Sequence, residues 1–397
     1  MEKKVNSRRM AAFAVTRWLM TKDFPATLLP EGPDRAFVQD VVYTVIRRLR
    51  PLRRVLGSLV KTWPKGELEA LLYVGAAQVL YMPDVPDFAA VNETVDAAKT
   101  CGNPSVARVV NGVLRNLIRR REELEAQVAA APVEERESYP GALYRRWVAR
   151  FGAENAERLA IWHNRPAETF LAYPDGAYVT LERGNKVSEI PGYAEGKFIV
   201  QNPATQLAVG SMDAHDGLEV LDACAAPGGK TVQLAWKGAR VTACEVNPRR
   251  RNTLVENLKR VGLADRVEVV ENLEALNGRA FDRVLVDAPC SNTGVLRRRP
   301  DARWNWSEEK LAQLVKLQAE ILDAVVAFVK PGGVLVYSTC SNELDENDGQ
   351  TAAFLARHPD FEKIAAAESC PFEASGENGW DGAYAATLKR ISRQTTK

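Results

Sequence analysis

No stretch of this sequence runs uncharged and apolar for the ~20 residues that a membrane-spanning helix needs. A helical membrane anchor is therefore not expected. The start, Met1-Glu2-Lys3-Lys4, leads into Ser7-Arg8-Arg9 without a sustained apolar segment, so no signal peptide is read and the protein is expected in the cytoplasm. Histidine is scarce, at 163, 215 and 358, and the six cysteines at 101, 224, 244, 290, 340 and 370 form no C-x-x-C pair. A metal site is not expected, and in a reducing compartment these residues are thiols and not a disulfide framework. Internal repeats and low-complexity segments are also missing.

Two nucleotide motifs fail. The G-x-G-x-x-G pattern is absent, and Gly229-Lys230-Thr231 ends like a P-loop but has Cys224 where the first glycine belongs. Pro227 also lacks an N–H that a phosphate nest would use. A triphosphate cradle is thereby set aside.

What is present is an ordinary globular composition, 46% hydrophobic and 26% charged, which excludes disordered and fibrous classes. A chain of 397 residues should hold two or more domains. Net charge is only +2, but residues 1–121 carry 20 Lys+Arg against 11 Asp+Glu, while the rest carries 33 against 40. A basic front on a near-neutral chain suits a polyanionic partner, although solvated helix faces would give the same count.

Residues 8 to about 121 read as helix throughout. Val106, Val109, Val110, Val113, Leu114, Leu117 and Ile118 recur at helical spacing behind an Asn103-Pro104-Ser105 start, and 68–80 reads as a buried helix with small residues. Arg47, Arg48, Arg50, Arg53 and Arg54, then Arg115, Arg119, Arg120 and Arg121, form clusters suited to phosphate neutralisation or to an ordinary exposed face. From Glu122 to Pro166 the chain is charged and Ala-rich. Its Tyr144–Phe151 stretch is basic and aromatic, fit either to stack on unpaired bases or to pack on a neighbouring domain. Short strand-like pieces around Gly176, Gly184 and Gly192 suggest a small α+β insert, and 201–206 enters a further helix.

From Gly217 onward strands and helices alternate: 218–222, 240–245, 267–270, 282–287 and 333–338 read as strands, which predicts a parallel, doubly wound sheet. The turn after the first strand is tight and glycine-rich, and Glu245 ends the next strand, where a carboxylate can accept both hydroxyls of a ribose. An adenosine that needs no phosphate cradle fits S-adenosylmethionine.

Two strands each deliver a cysteine at the tip: Val284-Leu285-Val286-Asp287-Ala288-Pro289-Cys290 and Val334-Leu335-Val336-Tyr337-Ser338-Thr339-Cys340. Cytosine carbon 5 is a poor nucleophile until a thiolate adds at carbon 6, which makes carbon 5 enamine-like toward a sulfonium methyl. A carboxyl group at ring N3 would hold the accepting form, and a second thiol could help remove the carbon-5 proton. Asp287, Cys290 and Cys340 supply these groups. The competing reading makes the cysteines small buried fillers. Cys224 can help shape its turn, and Cys101, Cys244 and Cys370 have no comparable context.

Three ordered motifs, 221–231, Asp287-Ala288-Pro289-Cys290-Ser291-Asn292-Thr293-Gly294 and Ser338-Thr339-Cys340-Ser341, resemble the RNA 5-methylcytosine methyltransferases of the Nol/Nop/Sun family over roughly residues 140–392. Arg298-Arg299-Pro300-Asp301, Trp304, Glu343, Glu346 and Asn347 fit the same pattern, and the helical front resembles the RNA-binding NusB fold. The resemblance implies an all-α NusB-like domain over 1–130, linker helices and a small α+β subdomain over 131–215, and a Rossmann-like (class I) methyltransferase domain over 216–397. It implies Cys340 as nucleophile, Cys290 in product release and Asp287 on the base. It further implies an S-adenosylmethionine site lined by Cys224, Ala225, Ala226, Pro227, Gly228, Gly229, Lys230, Glu245, Asn272 and Asp287. The expected partner is a single-stranded or looped cytosine in RNA, 16S ribosomal RNA above others, bound by a monomer. Arg47, Arg48, Arg119, Arg120, Arg297, Arg298 and Arg299 are expected on its phosphates. Asn292 stands where the family usually has Gly or Ala, Asn272 where an Asp is common, and 381–384 lacks the usual paired aromatics. An RNA-binding assembly factor without this activity, or one acting on tRNA, is the alternative.

Overall fold

The computed structural model describes residues 6–101, 104–182, 184–371 and 380–392. It divides into two compact units, Met1–Pro166 with Leu296–Trp306, and Ala167–Val295 with Ser307–Lys397.

The first unit is helical: α1 (Ser7–Thr21), α2 (Arg35–Arg47), α3 (Leu49–Gly57), α4 (Glu67–Tyr81), α5 (Asp87–Lys99), α6 (Pro104–Arg119), α7 (Arg121–Ala129), α8 (Val133–Arg136), α9 (Gly141–Phe151) and α10 (Ala153–Asn164). The Asn6 side chain caps α1, accepting from the N–H groups of Arg8 and Arg9 at 2.8 and 3.2 Å. Along α6, Ala107, Val110, Val113, Leu114 and Leu117 are buried at the expected spacing. The expected start at Asn103 lies outside the described residues. Helix α4 is buried over ten successive residues, Ala70 to Val79. Its Gly75 admits Leu114, with which a Cβ would collide. Each fully buried Leu or Val here contributes about 1.5–3 kcal/mol of apolar transfer.

The Leu296–Trp306 segment, which follows the Asp287–Gly294 loop in sequence, folds into this helical unit. Trp304 Nε1 donates to the Ile46 carbonyl at 3.0 Å and Asn305 to that of Lys22 at 2.8 Å. Arg303 is fully buried; it donates to Asn164 Oδ1 at 2.8 Å and lies 4.1 Å over the Tyr139 ring. Trp147 is buried against Tyr139, so the aromatic face of α9 packs within its own unit and does not present itself to bases.

The second unit opens with a three-stranded antiparallel sheet of β1 (Thr169–Ala172), β2 (Tyr178–Leu181) and β3 (Ile199–Val200), in the order β2-β1-β3. A seven-stranded sheet follows: β4 (Glu219–Asp222), β5 (Arg240–Cys244), β6 (Val267–Val270), β7 (Phe281–Asp287), β8 (Val329–Thr339), β9 (Phe361–Ser369) and β10 (Ala383–Arg390), in the order β6-β5-β4-β7-β8-β10-β9. Strands β4 to β8 pair in parallel, as the alternation predicts. The sheet is not wholly parallel, however: β10 joins β8, and β9 joins β10, antiparallel. A helix, Asp348–Arg357, carries the chain from β8 to β9, and β10 then returns antiparallel between those two strands, a step with no helix among the described residues to announce it. The order reverses direction at β4, between β5 and β7, where open α/β sheets bind ligands at their carboxyl ends. No described helix is long and apolar enough to cross a bilayer.

Candidate active site

Val284, Leu285 and Val286 are fully buried in the middle of the sheet, which is why β7 reads as an uninterrupted apolar run. Parallel register sets Val286 beside Tyr337 and Asp287 beside Ser338, so both strands end at the same level. Ser338 Oγ donates to Asp287 Oδ1 at 2.8 Å, and Lys230 Nζ lies 2.6 Å from Asp287 Oδ2. Beyond them the chain ends converge, and Cys290 Sγ and Cys340 Sγ stand 3.2 Å apart. The two strand tips thus bring the thiols together, and Asp287 and Cys340 line one cavity.

A network fixes the two loops. Glu346 is fully buried, and its Oε1 accepts from the Ser291 N–H and from Gln318 Nε2, both at 2.9 Å. Its Oε2 accepts from the hydroxyls of Ser291 and Ser341. Thr339 Oγ1 donates to Asn347 Oδ1 at 2.6 Å, and Asn347 Nδ2 returns to the Ser341 carbonyl at 2.9 Å. Gly294 lets three chain segments meet, since its N–H donates to the Cys340 carbonyl at 3.0 Å and its carbonyl accepts from the Gly382 N–H at 2.8 Å. A Cβ at Gly294 would lie 2.7 Å from the Gly382 carbonyl oxygen.

The electrostatics separate the groups. The Cys290 thiol is held well above its ordinary range, first by its hydrogen bond with Cys340, then by burial and by the Glu346 carboxylate. Burial pulls the Lys230 ammonium down, but the Asp287 carboxylate outweighs it and the net shift is upward. Burial raises Asp222 to about 6. Burial likewise pushes the Cys224 thiol up, which fits a shaping role in the turn and not a nucleophilic one. A cavity of about 140 Å³ is lined by Lys230, Asp287, Ser338, Cys340, Asp381 and Tyr384 among others.

The turn after β4 runs through Ala223, Cys224, Ala225, Ala226 and Pro227 to Gly228, whose φ of 105° is left-handed, and Gly229 opens the helix Gly229–Trp236. A Cβ at Gly228 would meet Leu254 Cδ1 at 2.6 Å. Glu245 follows β5 and is buried, with Oε1 accepting from the Asn247 N–H at 2.9 Å and Oε2 3.4 Å from Arg250 Nη1. Asn272 Oδ1 accepts from the Ala275 N–H at 3.0 Å, just ahead of the short turn Glu274–Leu276.

The arginines divide. Arg119 is exposed and Arg120 is paired bidentately with Glu123 at 2.8 and 2.9 Å. Arg48 is paired with Glu137 at 2.8 Å, and Arg299 with Asp301 at 3.0 Å. Arg298 is half-buried. Arg297 is 3% exposed, lies 4.2 Å over the Trp162 ring and donates to the Pro166 carbonyl at 2.8 Å. Arg47 donates to the Arg297 carbonyl at 2.7 Å, and burial followed by the charge of Arg303 lowers it to about 10. Arg47 and Arg297 therefore hold the 296–306 segment inside the helical unit, and the expectation of a phosphate contact is corrected for the buried Arg297. A run of arginines gives no sign of which members turn inward.

Asn202 and Asp381, both on the cavity wall, and Gln318 escaped the sequence reading. Asn202-Pro203 carried a local signal, a capping side chain before proline, and its Oδ1 accepts from the Ala204 N–H at 2.9 Å. Gln318 carried none.

Comparison with known proteins agrees with this arrangement. Residues 209–388 match the family model described as 16S rRNA methyltransferase RsmB/F, and residues 5–119 match the NusB family. The ribosomal RNA small subunit methyltransferase B of Salmonella arizonae is 35% identical over 91% of this chain and 92% of its own length. That of Klebsiella pneumoniae subsp. pneumoniae is 34% identical with the same coverage. In fold, the crystal structure of PH0851 superposes with a TM-score of 0.78 at 20% identity, covering 98% of this chain and all of that one. The cofactor of such a methyltransferase is S-adenosylmethionine, and the residues fit it: a tight left-handed turn at Gly228, the buried Glu245 carboxylate at the next strand tip, and the strand ends at the reversal of strand order, where such sheets bind ligands. The chain belongs to the RsmB/F family of 16S rRNA methyltransferases, with a NusB-family domain preceding the catalytic one.

Proposed function

We propose that the protein methylates carbon 5 of a cytosine in 16S ribosomal RNA through a covalent bond from Cys340 to carbon 6. The observation that carries this reading is the 3.2 Å approach of Cys290 and Cys340 beside the Lys230–Asp287 pair, with Cys340 on the cavity wall.

Asp287 faces the base as a carboxylate balanced by Lys230 and oriented by Ser338, suited to hold a proton at ring N3. Cys340, its proton passed to a solvent water, adds to carbon 6, and the electron pair moves onto carbon 5. S-adenosylmethionine, when bound, supplies the electrophilic methyl group. The carbon-5 proton then passes to a solvent water, its electron pair reforms the ring double bond, and the Cys340 sulfur is expelled. Cys290, kept protonated beside Glu346, stands 3.2 Å from the departing sulfur and can return a proton to it. The target cytosine must leave its stack to meet the half-buried Cys340 thiol on the cavity wall, so a looped or single-stranded site is expected. The names of the relatives, small-subunit methyltransferases, support 16S RNA.

The test is a pair of variants assayed with labelled methyl donor. Cys340→Ala should abolish transfer, and Cys290→Ala should accumulate protein covalently joined to RNA. Normal turnover in Cys340→Ala would refute the assignment, and an adduct that requires Cys290 would reverse the two roles. An assembly factor would bind RNA with no transfer at all. Bisulfite mapping of ribosomal RNA with and without the gene would identify the cytosine.

A further inference from the structure

Asn292 lies two residues after Cys290, and its backbone is left-handed at φ 60°, a conformation Asn tolerates better than most residues. Its side chain spans both thiol-bearing segments. Nδ2 donates to the Cys290 carbonyl at 2.9 Å, and Oδ1 lies 3.3 Å from Cys340 Sγ. The first contact decides the second. A carbonyl oxygen only accepts, so the amide nitrogen must face Cys290 and the amide oxygen must face Cys340. An amide oxygen also only accepts, so the Cys340 sulfur meets it with its hydrogen in place. Cys290 Sγ, 3.2 Å from the same sulfur, is then the group free to donate to it. The three residues form one directed chain, from the Cys290 S–H to Cys340 Sγ and from the Cys340 S–H to Asn292 Oδ1.

We propose that Asn292 is a positioning residue that holds Cys340 as a resting thiol, and that the Cys340 sulfur gives up this contact when it attacks the base. The inference rests on Cys340 being the nucleophile and adds a control on it. Without RNA, a thiolate would set its charge against the Oδ1 lone pairs, so the contact stabilises the protonated sulfur and guards it from stray alkylation and oxidation. When Cys340 loses its proton, the Asn292 bond is lost, the donation from Cys290 strengthens, and the sulfur can swing toward the cavity. Glu346 and Asn347 tie down the loops and cannot supply this, because they bond to hydroxyls, amides and backbone groups and not to the Cys340 sulfur.

The experiment measures iodoacetamide alkylation of Cys340 against pH in the full-length, RNA-free protein, read on the Cys340 peptide by mass spectrometry. Asn292→Gly suits the left-handed backbone and removes only the side chain. It should move the alkylation midpoint down by about half to one pH unit, a rate roughly three- to tenfold higher below the midpoint, as loss of one hydrogen bond to the neutral form requires. Asn292→Asp keeps the shape but adds a charge, and should move the midpoint up. In methyl transfer, Asn292→Gly should change kcat with the KM for RNA unaltered. An unchanged or raised midpoint in Asn292→Gly, or one in Asn292→Asp that does not rise, overturns the proposal. The alkylation measurement needs neither RNA nor methyl donor, so it stands apart from the Cys340→Ala transfer test. Turnover in Cys340→Ala would sink the cytosine reading and leave the alkylation result to judge Asn292.

Discussion

Lys230 Nζ reaches Asp287 Oδ2 at 2.6 Å, joining the glycine-rich turn after β4 to the tip of β7. Asp222, one strand over, is raised in part by the charge of Asp287, so Lys230 serves as the cation for a site with two carboxylates. Replacing it with Met leaves Asp287 beside Asp222 without compensation. Lys230→Met should lower methyl transfer by about two orders of magnitude, the scale on which a preorganised charge acts at a reacting centre. The acid limb of the pH–rate profile should move to higher pH, because a carboxylate deprived of its cation holds its proton more tightly. A normal rate with an unmoved limb would show that the pair is not functional.

Asp222 offers a stability measurement with a definite sign. Burial raises it from 3.8 to about 6, although Thr231 Oγ1 donates to it at 2.7 Å. Between those values the native state holds a proton that the unfolded chain has released, so stability falls as pH rises through that window. The ionised group costs about 3 kcal/mol at neutral pH by this linkage. Asp222→Asn escapes the cost while keeping an acceptor for Thr231. Its melting temperature relative to the unaltered protein should be more favourable at pH 7.5 than at pH 4. Equal differences at the two pH values would refute the shift.

The paired thiols were legible because a buried parallel strand writes itself as an apolar run, and whatever follows the run stands at the sheet's carboxyl edge. Cys290 and Cys340 could thus be placed at strand tips from sequence, whereas the pairing of β7 with β8 that makes those tips neighbours is non-local. The reach of Lys230 to Asp287 was not legible, since motif position assigns Lys230 to the cofactor turn and says nothing of its side chain. Strand β9 was missed because six of its nine residues, Glu362 to Ala367, are exposed, so it lacks both an apolar run and an alternation. Arg297 was misread for a related reason. Local sequence shows charge, whereas its burial against Trp162 depends on a contact 135 residues away in the chain. The Leu296–Trp306 segment as a whole belongs to the helical unit for the same non-local reason.

Glu346 gives the strongest stability prediction. It satisfies four donors from three segments while itself fully buried, so truncation strands Ser291, Ser341 and Gln318 together. Glu346→Ala should cost about 3–5 kcal/mol in urea unfolding, the range for removing one side of a buried charged network. Glu346→Gln should cost less, about 1–2 kcal/mol, because its oxygen can take the Oε1 position and the two serine hydroxyls can rotate to accept from its nitrogen. Equal costs for the two would mean that volume, and not hydrogen bonding, sets the effect.

Gly294 tests whether the closeness of the two cysteine loops matters in itself. Its Cβ position lies 2.7 Å from the Gly382 oxygen and 2.9 Å from the Cys340 oxygen, both backbone atoms that cannot rotate away as a side-chain end could. Gly294→Ala must therefore push the 290 loop from the 340 loop or from 381–384, at an overpacking cost of about 1–3 kcal/mol. The protein should still fold, with a melting temperature lowered by a few degrees. Methyl transfer should fall about a hundredfold or more, since a displacement near 1 Å is enough to spoil an attack geometry. Disulfide trapping supplies the independent reading. Peroxide oxidation should bridge Cys290 and Cys340, 3.2 Å apart, at a measurable rate in the unaltered protein and more slowly in Gly294→Ala. Unchanged bridging together with unchanged transfer would mean that the loops absorb the methyl group without separating.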